Sequence, residues 1–407
     1  MAEMVRGAQL SRVENTLQAA IVRALFAVDG AVSRAHLAST LGVGRSAVNT
    51  EIRRLVALGL VEEAGFGESR GGRRSHLLQI PRRAGFVAAV DLGATSVDVA
   101  LTSLASDVLA HAAVDAEIGD GPEATLERVG ELVDRLVDEQ GLDRDDLRAA
   151  GVGVPGPVEH VTGRVVAPPI MPGWNDFPVR DAVSERLGCP AFVDNDVNVM
   201  ALGEHARGAG RSVEHLAFVK VGTGIGVGVI VNGQLVRGAD GCAGDLGHVC
   251  IDPDGLVCTC GNRGCLEAHA GGAAIARAGE ESARSGSAPL LAATLEQKGA
   301  LDAADVGFAA SHGDLEALSI LRDRARLIGL TLATLVSLLN PSLIVIGGGV
   351  ARTGDAFLAE IRTAIYRRTL PLATRNLPIV TSELGADAGV VGASVLAARG
   401  FVLGGVA

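Results

Sequence analysis

The residues best equipped for chemistry in this 407-residue chain are one histidine and three cysteines gathered into a single stretch. Gly241-Cys242-Ala243-Gly244-Asp245-Leu246-Gly247-His248 is followed, after nine residues, by Cys258-Thr259-Cys260-Gly261-Asn262-Arg263-Gly264-Cys265-Leu266-Glu267. An imidazole and three thiolates complete a closed tetrahedral zinc site, and Gly261 and Gly264 let so short a loop fold round the ion. Free thiols and a redox pair are the plainer alternatives, but the spacing favours structural Zn²⁺ on His248, Cys258, Cys260 and Cys265. The ion would pin the loop that carries Asp245, His248 and Glu267. Clustered rather than paired cysteines speak for a metal site in a reducing compartment, so the expected location is the cytoplasm. Cys189, Cys242 and Cys250 are expected to be small buried residues.

A second constellation is a pair of glycine-rich loops. Phe86–Val90 reads as a buried strand entering Asp91-Leu92-Gly93-Ala94-Thr95, with another strand over Val97–Leu104. The pattern returns as Leu216–Val221, Gly222-Thr223-Gly224-Ile225-Gly226 and Val227–Val231, closed by a turn at Asn232-Gly233. Small residues with a threonine let backbone N–H groups and a hydroxyl surround phosphate oxygens, and Asp91 could orient Mg²⁺ through water. Two such hairpins suggest an internal duplication. Between them, Asp194-Asn195-Asp196 stands where a strand gives way to a helix over Val199–Arg207. A carboxylate there can act as base toward a substrate hydroxyl, with Asn195 binding a neighbouring one. An Asp/Asn helix cap explains the same residues equally well.

The elements that must position these groups fall into unequal parts. Residues 1–83 carry twelve Arg against seven acidic residues, about +5, whereas residues 84–407 carry twenty-four basic and forty acidic groups, −16. A basic first fifth on an acidic body points to a polyanion-binding module. Asn15–Val28 has helical apolar spacing, Ser33 can cap a short helix, and a third helix over Arg45–Leu58 buries Val48, Ile52 and Leu55. The opposite face of that helix bears Arg45, Ser46, Asn49, Thr50 and Arg53, groups suited to base edges and phosphates. A strand from Gly59-Leu60-Val61 can pair with Leu77–Ile80. The intervening glycine-rich tip, with Arg70, Arg73 and Arg74, can reach phosphates or a narrow minor groove. Any small three-helix domain shares this outline, yet the turn, the polar face and the arginine tip occur in order. The uncharged run Ile328–Val350, broken by Asn340-Pro341 and Gly347–Gly349, is read as a buried helix, turn and strand, so no membrane partner is expected.

These residues resemble the ROK family of repressors and sugar kinases, and its repressor branch in particular. The resemblance rests on Arg12-Val13-Glu14-Asn15, Ser33–Ala38, the Gly72-Arg73-Arg74 tip, both glycine loops, the zinc loop, and Asn340-Pro341 leading to Gly347–Gly349. It implies an α/β chain with the two-lobed actin-like ATPase (ribonuclease-H-like) fold and an N-terminal winged helix-turn-helix domain. The implied division is 1–83 for that domain, 84–200 for the first lobe and 201–407 for the second, with ligand in the cleft between lobes. By position, Asp91, Gly93, Thr95, Gly222, Thr223, Gly224 and Gly348 match nucleotide-binding residues. Asn195, Asp196, Asp245, His248 and Glu267 match sugar-binding ones, with Asp196 also the catalytic base of the kinases. The chain departs from the family at Asp245, where kinases carry Glu, and at Ala94 and Ser96, where they carry Gly and Lys. Ala94 adds a Cβ where backbone approach matters, and Ser96 removes a cation.

The expected protein is therefore a sugar-responsive transcriptional regulator of carbohydrate metabolism genes. Its partners would be double-stranded operator DNA, a sugar or sugar phosphate, and a second copy in a homodimer or homotetramer. The alternative is an ATP-dependent hexose kinase with Mg²⁺-ATP as cosubstrate and Asp196 as base.

Overall fold

The computed structural model describes residues 16–26, 30–66, 75–81 and 85–403. Arg12–Asn15 and the tip arginines Arg70, Arg73 and Arg74 lie outside the described residues.

The N-terminal module is built from α1 (Thr16–Phe26), β1 (Val32–Ser33), α2 (Arg34–Thr40), α3 (Arg45–Ala57), β2 (Glu62–Phe66) and β3 (His76–Gln79). The three strands form an antiparallel sheet of order β1-β3-β2. Ser33 caps α2, its hydroxyl accepting the His36 N–H at 3.1 Å. Between α2 and α3, Gly42 takes a left-handed conformation (φ +63°) that reverses the chain. Ile21, Leu37, Val48, Ile52, Leu55 and Leu78 are fully buried, each contributing roughly 1.5–3 kcal/mol. Leu60 and Val61 are buried as expected, but the strand begins only at Glu62.

The next segment supplies β4 (Phe86–Leu92), β5 (Ser96–Ser103), β6 (Val108–Asp115), α4 (Pro122–Gln140), β7 (Leu147–Val154), β8 (Val158–Glu159), β9 (Arg164–Val165), α5 (Val179–Leu187), β10 (Ala191–Asn195) and α6 (Asp196–Arg207). The main sheet runs β10-β7-β4-β5-β6, with β4 antiparallel to β5 and parallel to β7. β4 and β7 are apolar along nearly their whole length, as strands covered on both faces must be.

A second sheet repeats the scheme with β11 (Leu216–Val221), β12 (Ile225–Val231), β13 (Gln234–Val236), β14 (Leu343–Gly347) and β15 (Ile379–Thr381), in the order β13-β12-β11-β14-β15. β11 is antiparallel to β12 and parallel to β14, as β4 is to β5 and β7. The hairpin duplication read from the sequence is thus a duplication of sheet topology. Helices α7 (Leu266–Ala270), α8 (Gly272–Ser285), α9 (Pro289–Lys298), α10 (Ala303–Ser311), α11 (Leu315–Leu339), α12 (Asp355–Arg368) and α13 (Pro371–Thr374) complete this part, and α14 (Ala388–Leu403) ends the described chain. The uncharged run after Ile328 is the end of α11, a turn and β14, as expected; the helix is largely buried as far as Val336, but Ser337–Leu339 are exposed, which corrects the expectation of a helix buried throughout.

Two compact units result: residues 1–167, 171–207 and 389–407 in one, and 168–170 with 208–388 in the other. This corrects the expected division at 200/201. α6 is one continuous helix to Arg207, and α14 returns to the first unit. Residues 385–403 are long and apolar enough to cross a membrane, but 78% of that stretch is buried inside the protein, as a core helix is.

Candidate functional site

In the first unit the glycine loop after β4 and the Asp194-Asn195-Asp196 motif at the end of β10 stand at the carboxyl ends of strands that flank β7. Asp91, next to last in β4, stands beside Gly153 of β7 in parallel register. A Cβ on Gly153 would lie 3.2 Å from Asp91 Oδ1 and 3.4 Å from Asp196 Cα, so this glycine lets the two acidic residues approach. The loop itself is closed by Gly93 N–H donating to the Ser96 carbonyl at 2.9 Å, with Thr95 exposed at its tip. Ser96 Oγ donates to Asp98 Oδ2 at 3.1 Å, and Asp98 faces His111 at 3.6 Å. The position without the family's lysine is therefore also beside a carboxylate.

Asp196 is the first residue of α6, three residues before the expected helix start, and is 6% exposed. The cap reading holds for Asn195: its Oδ1 accepts the Val197 N–H at 3.1 Å while its Nδ2 donates to the Gly156 carbonyl at 2.9 Å. Asp194 Oδ1 accepts from Asn195 N–H and Asn198 Nδ2, both at 2.8 Å. These bonds orient the motif while leaving one Asn195 amide hydrogen for a ligand. The role of Asn198 in this network was not read from the sequence. Its spacing of four from Asp194 along a helix start is the signal that could have found it.

In the second unit, Gly222 N–H donates to the Gly224 carbonyl at 2.9 Å and closes the other glycine loop. Glu267 braces it, its Oε2 accepting the Ile225 N–H at 3.0 Å in space that a side chain at Gly224 would occupy. Gly348 (φ +88°) brings the turn after β14 against the Val221 backbone, where a Cβ would overlap. Gly244 (φ +99°) packs likewise on the Val227 carbonyl and presents Asp245, which is 52% exposed. His248 follows in a 3₁₀ turn, its Nε2 3.8 Å from Asp245 Oδ1.

His248, Cys258, Cys260 and Cys265 offer four donor atoms that all lie within 4.8 Å of one another. A tetrahedral zinc ion with ordinary bond lengths separates two sulfurs by about 3.8 Å and a sulfur from an imidazole nitrogen by about 3.6 Å. Cys260 and Cys265 Sγ stand 3.7 Å apart, and His248 Nδ1 is 3.6 Å from Cys258 Sγ. The donor set and its spacing fit zinc, with Nδ1 as ligand and Nε2 left for the Asp245 side. Burial, then hydrogen bonds and charge from Cys260 and Cys258, pushes the Cys265 thiol up to about 12. Burial opposes ionisation at Cys260 too, but hydrogen bonds from Asn262, Cys258 and Cys265 bring it below its ordinary value. Of the other cysteines, Cys189 is buried as expected, whereas Cys242 and Cys250 are exposed, which corrects that expectation. Cys242 precedes the zinc loop, and Cys250 lies within it, bridging Cys265 through the backbone.

On α3, Arg45, Ser46, Asn49 and Arg53 are exposed on one face, and Thr50 is half-buried with its hydroxyl on the Ser46 carbonyl. Arg34 and Arg54 pair with Glu63 and Glu51, whereas Arg45 and Arg53 form no ion pair among the described residues.

Two topologically equivalent sheets, each with a glycine loop at its central hairpin, together with an acid heading a helix, define an actin-like α/β protein of the sugar-kinase class. The chain belongs to the ROK family, whose model matches residues 87–399. It is 30% identical over 361 residues to the xylose repressor of Caldicellulosiruptor bescii, covering 89% of this chain and 90% of that one. It is 34% identical over 304 residues to a glucokinase of Halalkalibacterium halodurans, covering 74% of this chain and 92% of the kinase. Among solved structures it is similar to a ROK glucokinase from Streptomyces griseus in complex with glucose and AMPPNP (TM-score 0.71, 31% identity, 78% of this chain and 100% of that one). It is also similar to a ROK transcriptional regulator homologous to the E. coli MLC protein (TM-score 0.79, 26% identity, 96% of each chain).

Proposed function

We propose that this chain is a sugar-responsive transcriptional repressor that reads operator DNA with its N-terminal module and senses a sugar through its ROK domain. One observation carries the reading. Similarity to the repressor and regulator runs through the N-terminal module, whereas that to the glucokinases stops at about three quarters of the chain. We read the module as a winged helix. Arg45, Ser46, Asn49, Thr50 and Arg53 meet base edges and phosphates, and Arg70, Arg73 and Arg74 reach the adjacent backbone or minor groove.

Sugar recognition is assigned to Asn195 and Asp196 in the first unit and to Asp245, His248 and Glu267 in the second. Asp245 is one methylene shorter than the glutamate of family kinases, and water-bridged contact with the sugar is the natural consequence. Structural Zn²⁺ on His248, Cys258, Cys260 and Cys265 holds that loop, and with Nδ1 on the metal, Nε2 is presented to a hydroxyl. The sugar relieves repression if it binds more tightly to the conformation with lower DNA affinity. Two copies matching two half-sites complete the assembly.

The kinase reading is supported by the 34% identity to a glucokinase and by Asp196 at the head of α6. Against it stand Ala94, which adds a Cβ to the first loop, Ser96, which supplies no cation there, and the Asp98 carboxylate beside it, which repels phosphate oxygens. The deciding experiment is titration calorimetry with D-xylose and D-glucose, with a coupled assay for ADP release in Mg²⁺-ATP. Sugar binding without turnover supports the sensor; ADP release that Asp196→Asn abolishes replaces it with the kinase.

A further inference from the structure

Helix α14 lies within the first unit and touches each of its working parts. At its start, a Cβ on Gly389 would overlap the Asp91 carboxylate, so the first turn of the helix is seated on that acid. A carboxylate at a helix N-terminus is favoured by the helix dipole. One turn on, a Cβ on Gly392 would overlap the Val199 carbonyl and come within 3.1 Å of Gly203 N, so α14 crosses α6 backbone to backbone. Ala393 packs its carbonyl into the space left by Gly151 of β7. Ser394 Oγ and Thr102 Oγ1, both fully buried, share a hydrogen bond of 2.6 Å. Farther along, Gly400 accommodates the Phe192 ring.

The other end of α14 belongs to a buried cluster that joins the N-terminal module to the first sheet at Val87, Leu104 and Ala149. Ala397, Ala398, Val402 and Leu403 belong to the same buried cluster as Ile21, Leu25, Ile52 and Leu55. A helix of 16 residues spans about 24 Å. At Gly392 and Gly151 the contacts are backbone on backbone, with no flexible side chain to absorb a shift, and close-packed interiors pass displacement on rather than damping it. α6 carries Asp196 at its head, so any movement of that helix on ligand binding is applied directly to α14.

We propose that α14 is a strut that transmits occupancy at Asn195 and Asp196 to the N-terminal module, with Asp91 serving as its seat. Asp91 thereby acts as a positioning residue for the helix in a chain whose first glycine loop is poorly suited to nucleotide. The inference rests on the sugar-sensor reading above. It predicts that damage at the module end of α14 uncouples the two activities without abolishing either.

The test uses the full chain, a fluorescent duplex from its own promoter region, and D-xylose and D-glucose as probes. Wild type is expected to change its DNA affinity by about 5- to 150-fold on saturation with the sugar that binds. Val402→Ala, remote from Asp196, is expected to bring that ratio to within about twofold of one, with sugar affinity by calorimetry unchanged. Ser394→Ala, which deletes one hydroxyl and leaves both cores filled, is expected to lower the ratio in the same direction. If either variant weakens DNA binding equally with and without sugar, so that the ratio is retained, α14 is mere support and the strut is overturned. A wild-type ratio of one despite measured sugar binding overturns the coupling alone. Absence of binding by either sugar overturns the sensor reading, and the strut with it.

Discussion

Loading the Cys258–Cys265 loop with zinc should release between about two and three protons per ion near neutral pH, and its affinity should rise steeply with pH. The sign follows from the ligands: only thiolates bind the metal, so protons compete with it, and raising the pH removes the competitor. Cys265 is pushed up to about 12 by burial and by its two neighbouring thiols, so it is fully protonated in the metal-free protein at neutral pH. It alone contributes one proton, equivalent to about 1.4 kcal/mol of binding free energy per pH unit. Cys260 is held below its ordinary value by hydrogen bonds, so its proton is displaced more easily than that of Cys265. Three protons together would give about 4 kcal/mol, or a thousandfold, per pH unit. Competition against a fluorescent zinc chelator between about pH 7 and 8 gives the slope, and calorimetry in buffers of different ionisation enthalpy counts the protons. Cys265→Ser is expected to lower the slope by one unit and weaken binding. A slope below one, or less than half an ion per chain at saturation, would refute the closed four-ligand site.

Three further outcomes are expected. Gly244→Ala places a Cβ against the Val227 carbonyl at φ +99°, so it should cost about 2–4 kcal/mol in urea unfolding and displace Asp245; a loss below about 0.5 kcal/mol would contradict this contact. Cys189 is pushed from 9.0 up to about 11 by burial, against the opposing pull of Arg144. Its stabilising effect is intact below 9.0, where folded and unfolded thiols are both neutral, and is lost as pH rises toward 11, up to about 3 kcal/mol. The stability gap between wild type and Cys189→Ala should shift by that amount across this window, and a constant gap would count against it. Arg45→Ala should weaken operator binding and flatten its logarithmic salt dependence by about 0.9 if the side chain meets one phosphate, measured by anisotropy over a salt series. An unchanged slope removes Arg45 from the phosphate contacts.

What was legible in the chain was whatever closes over a few residues. The zinc loop is such a case: its four ligands sit within eighteen residues, so the geometry of a short loop is almost the geometry of the site. The Ser33 cap, the Gly42 turn and the two glycine hairpins are likewise local, because capping and positive φ depend on immediate neighbours. The asymmetry of charge separated the N-terminal module from the acidic body without any structure. Tertiary structure alone decided which distant backbones touch. Gly151, Gly389 and Gly392 look in sequence like any other glycine in a strand or helix, yet each marks a place where no Cβ fits. Nothing local says that residues 389–403 return to the first unit, that Glu267 braces the loop at Gly224, or that Cys242 and Cys250 face outward. Those facts depend on long-range packing between layers, and a single sequence records such packing only as small or apolar residues whose partners it does not name.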